Sequence, residues 1–447
     1  MSSKQGRHAR APQKETSRSK GKAAAKAATG TADEVETAAR TKAAAEARAE
    51  TPIETEIPSA SPSTAKRRPS FDLDLVSRYR GPIYGACILW IVLFHAQVDG
   101  ANYLFGDETF SWLNFVLYRG NVGVDIFLFL SGISLYFSWH KNPNPRDYYT
   151  KRLVRLFVPV LIIDGWYWFI RCIVMGDYGG ASGFIRRIAL IALWTDGTGT
   201  TWFIELLLPL YLIYPLLYEL IYHDDSAPKT ALRSILLIVA TYLVILSIRS
   251  DASEFYEMTE IALTRIPVFL LGCALGRTVY RGKKLPFWCG ALPFVGVLFF
   301  FGVLRYGGLE KPWLRFFYLV GAVSLAYAFA IVFLGLDKLT AHIGKGWKSL
   351  VLRGLGHLGD ASLEIYLATT VLNYVYRATP WYVEGDLARY LIAMALSTAV
   401  ALVVSKWVVK PISKRLIAAA KKKPPEDEKL PEGKRTNEEN QLEAASS

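Results

Sequence analysis

The sequence has 447 residues, of which 52% are hydrophobic and 13% aromatic, and its formal net charge is +13. The mean hydropathy is +0.21 although both ends of the chain are polar, so the central part is more apolar than the core of a soluble protein. The composition is typical of an integral membrane protein. The basic residues are interleaved with apolar segments, which argues against nucleic-acid binding and favours loops that set membrane orientation.

The two ends of the chain have a different composition from the middle. Residues 1–75 are rich in Ala, Lys, Glu, Thr, Ser and Pro and contain few large apolar side chains. Such a segment cannot bury enough surface to offset the entropy lost on ordering. We therefore expect residues 1–75 to form a disordered cytoplasmic tail. Residues 411–447, basic at first and then polar, are expected to form a second one.

Ten apolar segments lie between these tails, within residues 76–410. Each has about the length that crosses a bilayer as an α-helix, and backbone groups in lipid must be hydrogen-bonded within their own segment. The segments are 82–99, 120–139, 153–174, 202–222, 232–249, 260–280, 286–304, 314–336, 358–377 and 387–410. The apolar stretch 184–194 is too short to span and is expected to be interfacial or re-entrant. The predicted fold class is all-α: a polytopic membrane protein with about ten transmembrane helices.

The charges of the predicted loops indicate the orientation of these helices. The even-numbered loops contain most of the bases, including Lys141, Lys229 and Lys283, whereas the odd-numbered loops contain acids such as Asp99 and Asp251. Lys and Arg are enriched in cytoplasmic loops. We therefore expect both termini to be cytoplasmic in a multi-pass protein of the cell membrane.

The cysteines give no sign of a metal site or a disulfide framework, because all lie within or beside apolar segments and none shows paired ligand spacing. They are Cys87, Cys172, Cys273 and Cys289. The sequence predicts that no metal is bound.

Ionisable residues inside predicted membrane segments are costly and therefore suggest function. His95 lies near the outer end of the first segment, and Asp125 lies about one and a half turns into the second. Because these helices run antiparallel, we expect the two side chains at similar depth. A carboxylate beside an imidazole orients it and stabilises its protonated form, which is what a general base requires. The alternative role of each residue is a structural hydrogen bond between helices.

Four further residues are candidates for binding substrate. Arg152 and Arg155 are three residues apart at the cytoplasmic start of the third segment, so they project from one helix face and suit a phosphate; positive-inside topology would also place bases here. Glu205 and Arg265 lie in the outer third of their segments. They are expected either to pair with each other or to face the same cavity as His95.

Six short motifs in chain order carry a resemblance to a known family. They are Leu93-Phe94-His95, Gly120 to Gly132, Lys151-Arg152-x-x-Arg155, Trp202-Phe203-Ile204, Arg265 to Gly272, and Ser362 to Leu367. The second is the most specific, with Gly-Val-Asp leading to a Ser-Gly pair. Together they resemble the acyltransferase family 3 membrane proteins over roughly residues 76–410.

The resemblance implies transfer of an acyl group, commonly acetyl, from acetyl-CoA or another acyl-CoA to a hydroxyl of a cell-surface carbohydrate. By position in the motifs, it makes His95 the base and Asp125 its partner, and places Arg152 and Arg155 on the coenzyme phosphates. Ser131 and Gly132 resemble packing positions. The expected partners are acyl-CoA, a carbohydrate acceptor, on which Trp202 could stack, and the lipid bilayer.

The sequence departs from the family pattern at two positions. Tyr84 stands eleven residues before His95, where many members have a base; Arg80 lies on roughly the same helix face and could substitute for that base. Thr369 stands where a second histidine often follows.

Two questions stay open on the sequence alone. Acyl transfer could be direct or could pass through an acyl-histidine. The main alternative function is a transporter or flippase for a glycan or lipid-linked sugar, in which the intramembrane charges would line a path; a structural scaffold would leave those costly charges unexplained.

Overall fold

Helices make up nearly all the regular structure in the computed structural model of the protein, which describes residues 70–99, 111–197, 199, 201–343, 345–383 and 386–421. Two strands of three residues each are the other extended elements in those ranges. The predicted all-α fold class is confirmed. Most of the two predicted tails falls outside the described residues.

The elements are numbered in chain order. The first half comprises β1 (Ser70–Asp72), α1 (Leu75–Arg78), α2 (Arg80–Asp99), α3 (Ser111–Leu117), α4 (Val122–Lys141), α5 (Pro145–Val174), α6 (Gly180–Ile188), α7 (Ala192–Asp196), α8 (Trp202–Tyr222) and α9 (Ala227–Asp251). The second half comprises α10 (Ser253–Leu263), α11 (Ile266–Tyr280), β2 (Lys284–Pro286), α12 (Leu292–Tyr306), α13 (Lys311–Ile343), α14 (Lys345–Asp360), α15 (Ser362–Arg377), α16 (Leu387–Val404) and α17 (Lys410–Lys421).

Three stretches of these helices are π-helical and one 3-10 helix precedes α12. Helix α5 contains the π-helical stretches Val160–Asp164 and Phe169–Val174, and Ser405–Val409 joins α16 to α17 in the same conformation. The 3-10 helix spans Phe287–Ala291. Such π-helical turns occur frequently at functional sites.

Eight helical segments in the described ranges are long and apolar enough to cross a membrane. They are Val122–Lys141, Pro145–Val174, Trp202–Tyr222, Ala227–Asp251, Ser253–Tyr280, Phe287–Tyr306, Trp313–Leu339 and Ala388–Lys421. Arg80–His95 is apolar but shorter, and α15 has 16 residues. The predicted count of about ten is therefore approximate: the described residues contain eight such segments. The stretch 184–194 forms parts of two short helices, α6 and α7.

Regular structure extends slightly beyond the predicted membrane region at both ends. Residues 70–72 pair antiparallel with β2, and the ring of Phe71 packs 5.8 Å from that of Tyr327. The apolar side chains of Phe71, Leu73 and Leu75, at the end of the predicted tail, thus pack into the hydrophobic core. At the other end, helical structure continues past residue 410 to Lys421.

Glycines allow the closest helix contacts in the bundle. A Cβ on Gly272 of α11 would overlap the carbonyl of Phe129 on α4, and one on Gly132 of α4 would overlap that of Phe269. Small residues drive this kind of approach between membrane helices. Helices α2 and α14 meet in the same way, since a Cβ on Gly85 of α2 would overlap the carbonyl of Leu355 on α14. These contacts position the walls of the site.

Candidate active site

Three arginines predicted to bind phosphate converge on one cavity of about 580 Å³, which we call the main cavity. Arg152 and Arg155 reach it from the same face of α5, as their spacing predicts. Arg80, the first residue of α2, lies beside them and donates from Nη1 to Ser134 Oγ at 3.0 Å. The charges of the predicted loops lead us to expect this end of the bundle in the cytoplasm.

The guanidinium of Arg152 is held by aromatic rings. Its Cζ lies 5.8 Å from the ring centre of Tyr148 and 5.7 Å from that of Tyr211, while its Nε is buried without a hydrogen-bond partner. Tyr148 is itself fixed by a 3.1 Å hydrogen bond to the carbonyl of Tyr211. A pre-positioned arginine with an unused donor suits an incoming anion.

Aromatic rings line the inner end of the main cavity. Phe127 and Phe203 lie on its wall with ring centres 6.1 Å apart. Tyr84 packs 5.1 Å from Phe127 on one side, and Tyr366 packs 5.8 Å from Phe203 on the other. The main cavity therefore changes from basic near Arg80, Arg152 and Arg155 to apolar near Phe127 and Phe203.

A second cavity of about 520 Å³, the side cavity, adjoins the main cavity between α5, α15 and α17. The two share five lining residues: Arg152, Arg155, Asp360, Ser362 and Leu363. The side cavity adds three bases, Lys151 from α5 and Lys410 and Lys414 from α17.

Asp125 pairs with Arg265 beyond the aromatic rings. Arg265 Nε lies 3.4 Å from Asp125 Oδ1, and the two side chains are 1% and 0% exposed. Arg265 also donates from Nη1 to the carbonyl of Ile261 at 2.5 Å, and its Cζ lies 4.8 Å from the ring centre of Trp202. An aspartate in the first turn of α4 and an arginine just before α11 thus form one buried cluster with a family-motif tryptophan.

Arg315 adds a second guanidinium that the sequence reasoning missed. It interacts electrostatically with both Asp125 and Arg265, its Cζ lies 4.6 Å from the ring centre of Tyr318, and its Nη1 is buried without a hydrogen-bond partner. The available signal was an arginine at the outer start of an apolar segment, where positive-inside topology does not require a base.

Glu205 does not pair with Arg265 in the structure. Its carboxylate accepts hydrogen bonds from the backbone N–H of Leu193 at 2.5 Å and from Thr201 Oγ1 at 2.6 Å, and the side chain is fully buried. Glu205 therefore ties α7 to the beginning of α8, which positions Trp202.

His95 lies in the last turns of α2, half-buried, with its ring 5.1 Å from that of Phe94. A Cβ on Gly123 would contact the carbonyl of Cys87, so Asp125 lies near the level of Cys87. That level is about 12 Å from His95 along α2. Both oxygens of Asp125 are without a hydrogen-bond partner. The structure thus pairs Asp125 with Arg265, and the partnership of Asp125 with His95 stays a prediction.

A buried carboxyl in α5 was also missed by the sequence reasoning. Asp164 ends the π-helical stretch Val160–Asp164, is 1% exposed, and has no hydrogen-bond partner for Oδ1. It lies close enough to Tyr366 to interact electrostatically. An aspartate inside the apolar segment 153–174 was the available signal.

The described residues contain no group of three or more His, Cys, Asp or Glu side chains that could hold a metal ion. The four cysteines are free and buried.

Residues 85–406 match the family model described as an acyltransferase domain, that of acyltransferase family 3. The match covers well over half of the 447 residues. The chain belongs to acyltransferase family 3. No curated protein and no solved structure matches it.

Most of the site lies within the acyltransferase family 3 domain, since His95, Asp125, Trp202 and Arg265 all fall inside residues 85–406. Arg80 and Tyr84 precede the match, so the structure supplies their placement: both line the main cavity. Arg80 lines the same cavity as Arg152 and Arg155; its substitution for the base that many family members have at the position of Tyr84 stays a prediction.

At the second departure from the family pattern, acyltransferase family 3 often has a histidine. Thr369 occupies this position in α15 with its Oγ1 buried and without a hydrogen-bond partner.

Proposed function

We propose that this membrane acyltransferase moves an acyl group, acetyl in the expected case, from acyl-CoA to a hydroxyl of a cell-surface carbohydrate. The observation that carries the proposal is the convergence of Arg80, Arg152 and Arg155 on one cavity with an apolar inner end. Acyl-CoA has the matching chemistry, because it carries phosphates at one end and a neutral acyl arm at the other.

In this proposal the arginines bind the coenzyme phosphates from the cytoplasmic side. The acyl arm extends toward Phe127 and Phe203, and beyond them toward Arg265. The Asp125 carboxylate holds Arg265 in place beside Trp202, where guanidinium and indole contact the acceptor.

His95 is proposed as the general base that removes the proton from the acceptor hydroxyl. It lies toward the outer end of α2, on the side from which a cell-surface carbohydrate would approach. The hydroxyl oxygen then forms a bond to the acyl carbon, the thioester C–S bond breaks, and the proton held by His95 passes to the sulfur, so that coenzyme A leaves as the thiol. General-base catalysis of this kind typically contributes about 10²–10⁴-fold to the rate.

Radiolabelled acetyl-CoA tests the proposal in membranes that contain the full chain or its His95→Gln variant at equal levels. We expect wild type to label the envelope glycan fraction and His95→Gln to lose at least 100-fold of that activity. His223→Gln, which changes an exposed histidine in the loop after α8, is the matched control and should retain full activity. No labelling by wild type with acetyl-CoA or longer acyl donors would reject the acyltransferase proposal and favour transport.

A further inference from the structure

The side cavity is lined by more basic side chains than acidic ones. Five bases line it against two carboxylates: Lys151, Arg152, Arg155, Lys410 and Lys414 against Asp360 and Glu364. One of the two carboxylates has a hydrogen-bond donor within the protein, since Glu364 Oε1 accepts a hydrogen bond from Ser405 Oγ at 3.2 Å. The excess of bases predicts an anionic occupant with more than one charge.

Two of these bases come from one face of the last helix. Lys410 and Lys414 are four residues apart on α17, so their side chains project in the same direction. Both are exposed and both line the side cavity, together with Ser413. Arg415, also exposed on α17, does not line it. The orientation of the two lysines is therefore specific to this cavity and is not shared by every base on the helix.

The two cavities are connected through Arg152 and Arg155, which line both. A ligand whose central phosphates bind these arginines can extend in two directions at once. The main cavity leads to the apolar rings of Phe127 and Phe203 and suits an uncharged arm. The side cavity leads to Lys410 and Lys414 and suits a second phosphorylated group.

We propose, building on the acyl-CoA donor proposed above, that the side cavity binds the nucleotide end of acyl-CoA, with Lys410 and Lys414 contacting its ribose 3′-phosphate. The diphosphate lies between the cavities at Arg152 and Arg155, and the pantetheine arm occupies the main cavity. A phosphate monoester carries a charge of about −1.5 to −2 at neutral pH, more than one lysine neutralises. Each cavity alone has the volume of a site for a drug-sized ligand, and acyl-CoA is larger, so it requires both.

Coenzyme A and 3′-dephospho-coenzyme A differ only in this phosphate and are the probes for the test. Their affinities are measured by titration calorimetry on the full chain in phosphatidylcholine nanodiscs, for wild type, Lys410→Ala/Lys414→Ala and the control Arg415→Ala. We expect the double variant to bind coenzyme A about 10- to 100-fold more weakly, as loss of charge-assisted hydrogen bonds implies. Its affinity for the dephospho form should not change, and Arg415→Ala should match wild type for both probes.

The outcomes separate this inference from the proposed function. If wild type binds coenzyme A but the double variant weakens both probes equally, or neither, the assignment of the 3′-phosphate is rejected and the donor proposal stands. If wild type binds neither probe, the donor proposal itself fails. Anionic lipids present the same phosphate chemistry. If adding phosphatidylglycerol raises the unfolding temperature of wild type but not of the double variant, while coenzyme A affinity is the same in both, the side cavity is a lipid site and the inference is overturned.

Discussion

Asp125 and Arg265 form an ion pair in which the carboxylate is 0% exposed, the guanidinium is 1% exposed, and Oδ1 lies 3.4 Å from Nε. Both carboxylate oxygens are without a hydrogen-bond partner, as is Arg265 Nε. An ion pair removed from water has small net value, but breaking it leaves one buried charge uncompensated. The pair therefore fixes the rotation of α4 against α11 and holds a guanidinium available beside Trp202.

The first prediction concerns the energetics of this pair. Arg265→Gln or Asp125→Asn alone should destabilise the protein by about 3–5 kcal/mol, because each leaves its partner buried and unpaired. The double variant should be less destabilised than the sum of the two single variants. The measurement is thermal unfolding, in one detergent, of purified wild type, the two single variants and the double variant, which together form a double-mutant cycle.

The matched control for that cycle is the ion pair between Arg277 Nη1 and Asp225, whose atoms are also 3.4 Å apart but whose carboxylate is 86% exposed. Asp225→Asn should change the unfolding temperature little, since solvent screens this pair. Additive effects of the Asp125 and Arg265 substitutions would contradict the coupling that we infer from burial.

The second prediction concerns Arg155 and donor binding. Arg155→Ala should raise the KM for acyl-CoA about 10- to 100-fold with a much smaller change in kcat, because a phosphate contact far from the reacting carbon contributes equally to ground and transition states. Initial rates at varied acyl-CoA concentration test this. Arg146→Ala, exposed on the same helix one residue after its start, should behave like wild type. A fall in kcat at unchanged KM would remove Arg155 from the phosphate site.

The third prediction compares two helix glycines. A methyl group on Gly272 would overlap the carbonyl of Phe129, whereas nothing lies within 4 Å of a Cβ on Gly302 in α12. Gly272→Ala should therefore force α4 and α11 apart, lowering stability and activity, while Gly302→Ala should be neutral or stabilising by about 0.5–1 kcal/mol. Unfolding temperatures of the two variants provide the measurement. If Gly272→Ala and Gly302→Ala changed the unfolding temperature equally, the close contact between α4 and α11 at Gly272 would be contradicted.

The fourth prediction concerns pH and the loop between α8 and α9. A hydrogen bond from Arg233 Nη2 at 2.9 Å lowers the pKa of Asp224, and burial opposes this only in part. A depressed folded-state pKa contributes stability above the usual aspartate pKa, and that stability is lost as the pH falls through the lowered value. Wild type should thus unfold at a higher temperature than Asp224→Asn near neutral pH, with the difference disappearing in acid. If the difference in unfolding temperature between wild type and Asp224→Asn grew as the pH fell, the prediction of a lowered Asp224 pKa would be contradicted.

Part of the site could be predicted because it depends on local spacing. Arg152 and Arg155 share a helix face wherever α5 lies, and both reach the main cavity. The prediction for His95 and Asp125 relied on equal depth in two antiparallel helices, which requires knowing how far one helix is shifted along the other. The contact of Gly123 with Cys87 sets that shift and places Asp125 beside Arg265, 140 positions later in the chain.

The sequence by itself determined the all-helical membrane fold, the family and the residue types of the site, because helix length, hydropathy and i, i+3 spacing are properties of neighbouring residues. Only the tertiary structure decided which charges meet. The pairing of Asp125 with Arg265, the approach of Arg315, and the placement of Lys410 and Lys414 in one cavity with Arg155 all depend on how helices rotate and slide against one another. Those choices are made by close backbone contacts between residues far apart in the chain.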